Sequence, residues 1–183
     1  IFAVSNSIIP NTYQNVPYWA GENLNNKNII LTQYNSNGGG DDIMYAHLIP
    51  EIVEKTEKCF IETDQRTQSL YENSFGNGEV FLTGENPWKE KTQIDYQVMV
   101  PTIAGTLRRK VSDFDRPSGY LKPKESERRL WKNYTDTIAQ KNLKVGICWR
   151  SMISIGLTGP MSTSIEDWGN VFKIPNISFF ELQ

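Results

Sequence analysis

Residues 28–52, NIILTQYNSNGGGDDIMYAHLIPEI, set the reading of the whole chain. The run NIILTQY is apolar without alternation, the pattern of a strand covered on both faces. Gly38, Gly39 and Gly40 then lead directly into Asp41 and Asp42. From Asp41 to Lys55 the apolar residues Ile43, Met44, Leu48, Ile52 and Val53 recur at helical spacing, which predicts an amphipathic helix. Pro50 falls inside it and should kink or shift it, because proline lacks an N–H and crowds the preceding turn. Strand, glycine-rich loop and helix in that order open a Rossmann-like unit.

On the amino-terminal side, Ile1 to Asn28 is rich in Asn, Pro and Tyr and has no period, so it reads as an irregular lead-in. On the other side, KCFIETD reads as a second strand, RTQSLYENSF as a short helix stopping at Gly76, and EVFL and IDYQVMV as further strands. Pro101 to Lys110 reads as a helix, and SDFDRPSGYLKP as a loop punctuated by Pro117, Gly119 and Pro123. The stripe Leu130, Trp131, Tyr134 and Ile138 predicts an amphipathic helix over 124–141, with Arg128, Arg129 and Lys132 mostly on its wet side. KVGICW is strand-like. Thr163 with Glu166 three residues on fits a capping box, opening a helix that gathers Ile165, Trp168 and Phe172 on one face. ISFFELQ reads as a last strand.

Strand, loop, helix and strand therefore occur twice, near 28–64 and again over 144–183. The expected fold is α/β: a Rossmann-like parallel-sheet domain over 1–141, with its lead-in at 1–27, followed by the incomplete start of a second Rossmann-like domain over 142–183. A lone strand-helix-strand piece buries too little surface to stand by itself.

With 183 residues, 38% of them hydrophobic and 22% charged, the composition is that of a globular protein. Nineteen basic against twenty-one acidic residues give a net charge of −2, so no global field draws in nucleic acid. No apolar run reaches the roughly 20 residues that cross a bilayer. The start, IFAVSNSIIPN, lacks the basic flank of a signal peptide, and the expected location is the cytoplasm. Without an initiator Met, the chain is expected to be a piece of a longer one. Cys59 and Cys148 are the two cysteines; each lies in an apolar strand-like run, which predicts buried free thiols. With a single histidine beside them, they leave too few ligands for a structural zinc site.

Ligands of a doubly wound sheet bind beyond the carboxyl ends of the strands, so the loops after NIILTQY and KVGICW are where a site belongs. The glycine loop fails as a dinucleotide fingerprint: Gly38-x-Gly40 matches, but Ile43 stands in the place of the third glycine. Two carboxylates at a helix N-terminus would also repel the pyrophosphate. No Gly-Lys-Ser/Thr follows, which rules out a P-loop. The glycines instead let backbone and substrate approach closely, while Asp41 projects a carboxylate that can take a proton from a hydroxyl nucleophile. Local chemistry leaves a second role equally open, since Asp41 or Asp42 can simply cap the helix.

Arg150 and Ser151 follow KVGICW, where they can neutralise and hydrogen-bond a diphosphate; alternatively Arg150 serves as a surface ion-pair partner. Asp113-Phe-Asp115 has the acid-x-acid form of a metal-binding pair but sits in a Pro/Gly-rich loop beside Arg116, so it reads as a solvated turn. His47 reads as a packed or partly exposed helix residue. Arg108, Arg109 and Lys110 read as a solvated helix face.

PYWAGENL (17–24), GGGDDIMYAHLIPEI (38–52), CFIETDQRTQSLYENSF (59–75), IDYQVMVPTIAGTLRR (94–109), GYLKP (119–123) and KVGICWRS (144–151) together resemble the glycosyltransferase region attached to tetratricopeptide repeats in many bacterial proteins. That region is related to the heptosyltransferases and, more distantly, to protein O-GlcNAc transferases. The resemblance runs in order from about Pro17 to the final FFELQ. It implies a GT-B fold, in which two Rossmann-like domains face each other, the first holding the acceptor and the second the nucleotide sugar.

On that resemblance Asp41 is the catalytic base, Gly38, Gly39, Gly40 and Asp42 shape the substrate site, and Arg150 and Ser151 bind the donor diphosphate beside Trp149. The implied partners are a nucleotide sugar and an acceptor hydroxyl, with tetratricopeptide repeats elsewhere in the longer chain. No cofactor and no metal is implied. The fragment by itself is expected to transfer little or no sugar.

The family loop is commonly Gly-Leu-Gly-Asp-Glu, and its Trp-Arg-Ser motif is followed by Gly, where this chain has Met152; TGPMST carries no Lys or Arg. These departures carry an alternative, a non-catalytic glycan- or protein-binding module on a GT-B-like scaffold. A third reading, a nicotinamide-dependent oxidoreductase, rests on Glu62 and Asp64 as ribose ligands.

Overall fold

The apolar run Asn28–Thr32 forms β1 in the computed structural model, which describes residues 13–33, 40–88, 92–114, 119–149 and 163–182. Two compact units are present, Ile1–Lys124 and Glu125–Gln183.

In the first unit β1 is followed by α1 (Gly40–Tyr45), a 3-10 turn (Ala46–Leu48), α2 (Ile49–Val53), β2 (Lys58–Thr63), α3 (Gln68–Ser74), β3 (Glu79–Leu82), β4 (Tyr96–Met99) and α4 (Val100–Leu107). The effect expected of Pro50 is visible here. The helical stretch breaks into α1 and α2, the 3-10 turn lies between them, and Pro50 occupies the first turn of α2, where its missing N–H has no intrahelical partner to lose.

All three strand pairings are parallel and the order is β3-β2-β1-β4. The chain moves outward from β1 through β2 to β3, then returns to the other side of β1 as β4. That reversal is the topological switch of a Rossmann-like sheet, and it lies between the carboxyl ends of β1 and β4.

Alternate strand residues feed the two faces of the sheet. Ile29, Leu31, Cys59, Ile61 and Val98 join Leu48, Ile49, Ile52, Tyr71, Phe75 and Ile103 from the helices in the main core. On the other face Ile30, Phe60 and Phe81 meet Tyr13, Trp88 and Ile94. Trp88 is the hub of that smaller cluster, with its ring centroid 5.2 Å from Tyr13, 5.4 Å from Phe60 and 5.2 Å from Phe81. The lead-in is irregular as expected, yet it is tied down: Trp19 N donates to Gln97 O and Gln97 N to Pro17 O, each at 2.9 Å, which sets Tyr18 beside β4 as a parallel bridge.

The second unit holds α5 (Glu125–Ala139), β5 (Leu143–Ile147) and β6 (Ile177–Glu181), with β5 and β6 paired in parallel. Where a helix was expected between these strands, the described residues form two short 3-10 turns, Ile165–Trp168 and Val171–Lys173. The capping box sits one residue later than the sequence suggests. Ser164 is the cap, with Glu166 N donating to Ser164 Oγ (3.3 Å) and Ser164 N donating to Asp167 Oδ2 (3.0 Å). Thr163 instead accepts from the Trp168 indole, 2.8 Å.

One thiol departs from the sequence expectation. Cys59 is buried on β2, and burial pushes its thiol pKa up; Cys148 lies one residue past the end of β5 and is exposed. Neither is in a disulfide.

Candidate functional site

The carboxyl ends of β1 and β2 gather four acidic side chains. Asp41 and Asp42 lie in the first turn of α1, after β1; Glu62 is on β2 and Asp64 directly follows it. α1 begins at Gly40, so both aspartates are inside the first turn rather than at the position ahead of it. Asp41 is exposed, and Asp42 is buried, 6% accessible. Adjacent identical residues thus meet different surroundings. The carboxyl of Asp42 is pushed up to about 6, first by burial and then by the charges of Asp41 and Asp64, with Arg66 pulling the other way.

The remaining acids are engaged. Glu62 is buried and accepts from Gln33 N, 3.3 Å. Burial raises its pKa, while that N–H and the hydroxyls of Thr83 and Tyr13 pull it down. Asp64 accepts from Arg66 N (2.7 Å) and Nε (2.8 Å), and this pairing lowers its pKa. Both carboxylates on which the oxidoreductase reading rests thus already hold protein partners.

Two tyrosines that the sequence reading did not single out hold the acid-bearing turn. Tyr71 of α3 donates its hydroxyl to Asp42 O (3.0 Å), and Tyr120 donates to Ile43 O (2.9 Å). The segment carrying Tyr120 is fastened to α3: Asn73 Nδ2 donates to Lys122 O (2.6 Å), and Lys122 N donates to Ser74 Oγ (2.8 Å). Three of the stretches that carry the family resemblance, around Asp41, Tyr71 and Tyr120, therefore converge on one turn. His47 is half-buried, with Nδ1 2.8 Å from Met44 O and its ring 5.8 Å from that of Tyr120.

Gly40, Asp41 and Asp42 are thus brought together at one end of the sheet. Gly38, Gly39, Arg150 and Ser151 lie outside the described residues, as does Asp115. Asp113 serves its own 3-10 turn by accepting from Arg109 N (2.9 Å) and Lys110 N (3.0 Å), a structural use of the acid-x-acid pair's first member. Arg108 is not a solvated residue; it forms a two-pronged pair with Glu51. Among the described residues no group of three or more His, Cys, Asp or Glu could hold a metal ion. No described helix is long and apolar enough to cross a membrane.

Chemically, the arrangement offers an exposed carboxylate at the open end of the sheet, a second carboxyl beside it that titrates near 6, and a backbone turn immobilised by two phenols. A carboxylate on such a turn has the chemistry to take a proton from a hydroxyl brought within hydrogen-bond reach.

No protein-family profile and no solved structure matches the chain. Among curated proteins, Protein FlbA of Caulobacter vibrioides (strain ATCC 19089 / CIP 103742 / CB 15) is 24% identical over 181 residues. The match takes in 90% of this chain and 30% of FlbA, so the chain spans about 30% of the length of the curated relative it matches.

Proposed function

We propose that this chain is the acceptor-side part of a GT-B glycosyltransferase that moves a sugar from a nucleotide donor to an acceptor hydroxyl. The observation that carries the reading is the position of Asp41: an exposed carboxylate in the first turn after β1, at the carboxyl end of a parallel sheet of order β3-β2-β1-β4. The sequence resemblance supports the same assignment.

In the proposed reaction the acceptor O–H gives its proton to the Asp41 carboxylate as its oxygen bonds to the anomeric carbon. The bond from that carbon to the diphosphate oxygen breaks, and the nucleoside diphosphate leaves with the electron pair. The role of Arg150 and Ser151, stabilising that leaving diphosphate, follows from the resemblance and from the chemistry of an Arg–phosphate pair.

Asp41→Asn in the full-length protein, assayed with a panel of UDP-, GDP- and ADP-sugars, tests the reading. Transfer in wild type and a loss of at least about 100-fold in the variant are expected for a missing general base. Equal turnover removes Asp41 from the mechanism. Failure of the wild type to bind any nucleoside diphosphate favours the glycan- or protein-binding module instead.

A further inference from the structure

The first unit has a concavity at the opposite end of its sheet from the acids. Asn25 precedes β1, Lys55 precedes β2, and Thr106 and Arg109 lie at the far end of α4, so all of them stand at the amino-terminal edge of the strands. Together with Trp19 and the Ala20–Asn23 loop, they line a cleft of about 450 Å³. That volume is within the range of small-molecule sites.

Its wall is preorganised. The Trp19 indole is buried and donates to Glu22 O, 2.9 Å. Gly21 has φ +114°, and a Cβ there would stand 3.1 Å from Thr106 Cγ2, so the loop is pressed against α4 in a conformation that favours glycine.

Several cations stand at this end, Arg108, Lys55 and Arg109 among them. Arg108 is taken up by Glu51. Lys55 and Arg109 line the cleft and form no salt bridge among the described residues. Arg109 Nε donates to Thr106 O (3.1 Å), which fixes the guanidinium and leaves its terminal N–H groups to other acceptors. The carboxylate in the lining, Glu22, is turned back on its own loop. It accepts from Ala20 N at 2.8 Å, and the backbone N–H groups of Ala20, of Glu22 itself and of Gly21 hold its pKa below the ordinary value. These N–H groups hold the Glu22 carboxylate, which stays ionised, against its own loop, so the positive charge in the lining comes from Lys55 and Arg109.

We propose that this cleft binds a small anionic ligand, a phosphate or polycarboxylate compound, between Lys55 and Arg109. The planar Arg109 fork suits two oxygens of such a group, and Lys55 supplies the opposing point charge. The site is separate from the acid-lined end of the sheet and does not depend on sugar transfer.

Inorganic phosphate, pyrophosphate and citrate, titrated into the full chain at constant ionic strength, test the proposal. The readout is the NMR signals of the Trp19 indole N–H and the Ala20–Asn25 amides. Saturable shifts confined to these groups are expected with a phosphate probe or with citrate, and the preferred probe distinguishes the two ligand chemistries. The double variant Lys55→Gln/Arg109→Gln alters two exposed side chains and should weaken that binding by about 10-fold or more. Lys124→Gln, an exposed cation outside the cleft, should bind as wild type does. No saturable shift with any probe up to about 10 mM, equal affinity in the double variant, or an equal loss in Lys124→Gln overturns the proposal.

Discussion

Asp41 and Asp42 differ in surroundings, and that difference has a measurable consequence in pH. An ordinary aspartate titrates at 3.8; in the fold Asp42 titrates at about 6 because it is buried and faces Asp41, Asp64 and Glu62 with Arg66 as partial compensation. A raised carboxyl pKa means that the native state binds the proton more tightly than the unfolded chain does. The stability this contributes is fully present below 3.8 and is lost as pH rises through about 6. A shift of this size corresponds to about 3 kcal/mol for a fully sequestered group, and solvent screening reduces the expected effect to about 1 kcal/mol. Asp42→Asn should therefore gain about 1 kcal/mol on wild type between about pH 4 and about pH 8. Urea unfolding at the two pH values checks this, and a difference that does not change with pH contradicts it.

The hydroxyl of Tyr71 is the matching structural test. It is buried, and the nearby Asp42 charge adds to burial in raising its pKa. Tyr71→Phe removes the donor to Asp42 O while keeping the ring against Phe75, 5.2 Å away. A loss of about 1 kcal/mol is expected from one buried hydrogen bond. If the tether also positions the acids, the variant's amide signals at Asp41 and Asp42 should broaden or shift. None of this was legible locally. Asp-Asp announces charge, but the turn that carries it is tied at the carbonyls of Asp42 and Ile43 by phenols arriving from 29 and 77 residues away.

Among the elements, most could be read from the sequence. The strands β1 to β4 fall inside the apolar runs that suggested them, α3 and α5 fall inside their predicted stretches, and α4 begins one residue earlier than expected, at Val100, and ends at Leu107. What escaped depends on partners. Thr163 and Ser164 both precede an acid at capping distance, and the choice between them is made by the Trp168 indole, which takes the Thr163 hydroxyl. Cys148 looked like strand interior because Cys follows an apolar run, yet the pairing with β6 ends at Ile147. The loop around Gly21 is a further case, since only its packing on α4 explains a glycine at φ +114°. Gly21→Ala must carry a side chain in that conformation and push Thr106 aside, at a cost of about 1–3 kcal/mol. Thermal or urea unfolding measures the loss. Gly105→Ala is the control, because a Cβ there meets nothing within 4 Å, and a helical glycine replaced by alanine should be neutral or stabilising.

At the level of the whole chain, the two units differ in how much they bury. The first has a main core sealed between helices and sheet, with Ile29, Leu31, Ile49, Ile52, Ile61 and Ile103 all fully inaccessible. In the second, the buried class among the described residues contains Ala139 and Ile147 alone, while Leu130, Trp131, Tyr134 and Ile138 along α5 are each about half exposed or more. The sequence reading foresaw this shortage from the brevity of the second strand-helix-strand piece. Two parallel strands with one helix cannot offset the entropy of ordering by so little burial. Local opening should therefore be far cheaper there than in β1 and β2. Native-state amide exchange of the full chain should find the β5 and β6 amides exchanging at least about 100-fold faster than those of Ile29–Leu31 and Phe60–Ile61. Destabilising the first core by Ile61→Val should accelerate exchange in β1 and β2 and leave β5 and β6 unchanged. Comparable protection in both units, or a common response to Ile61→Val, would show that they open as one cooperative body.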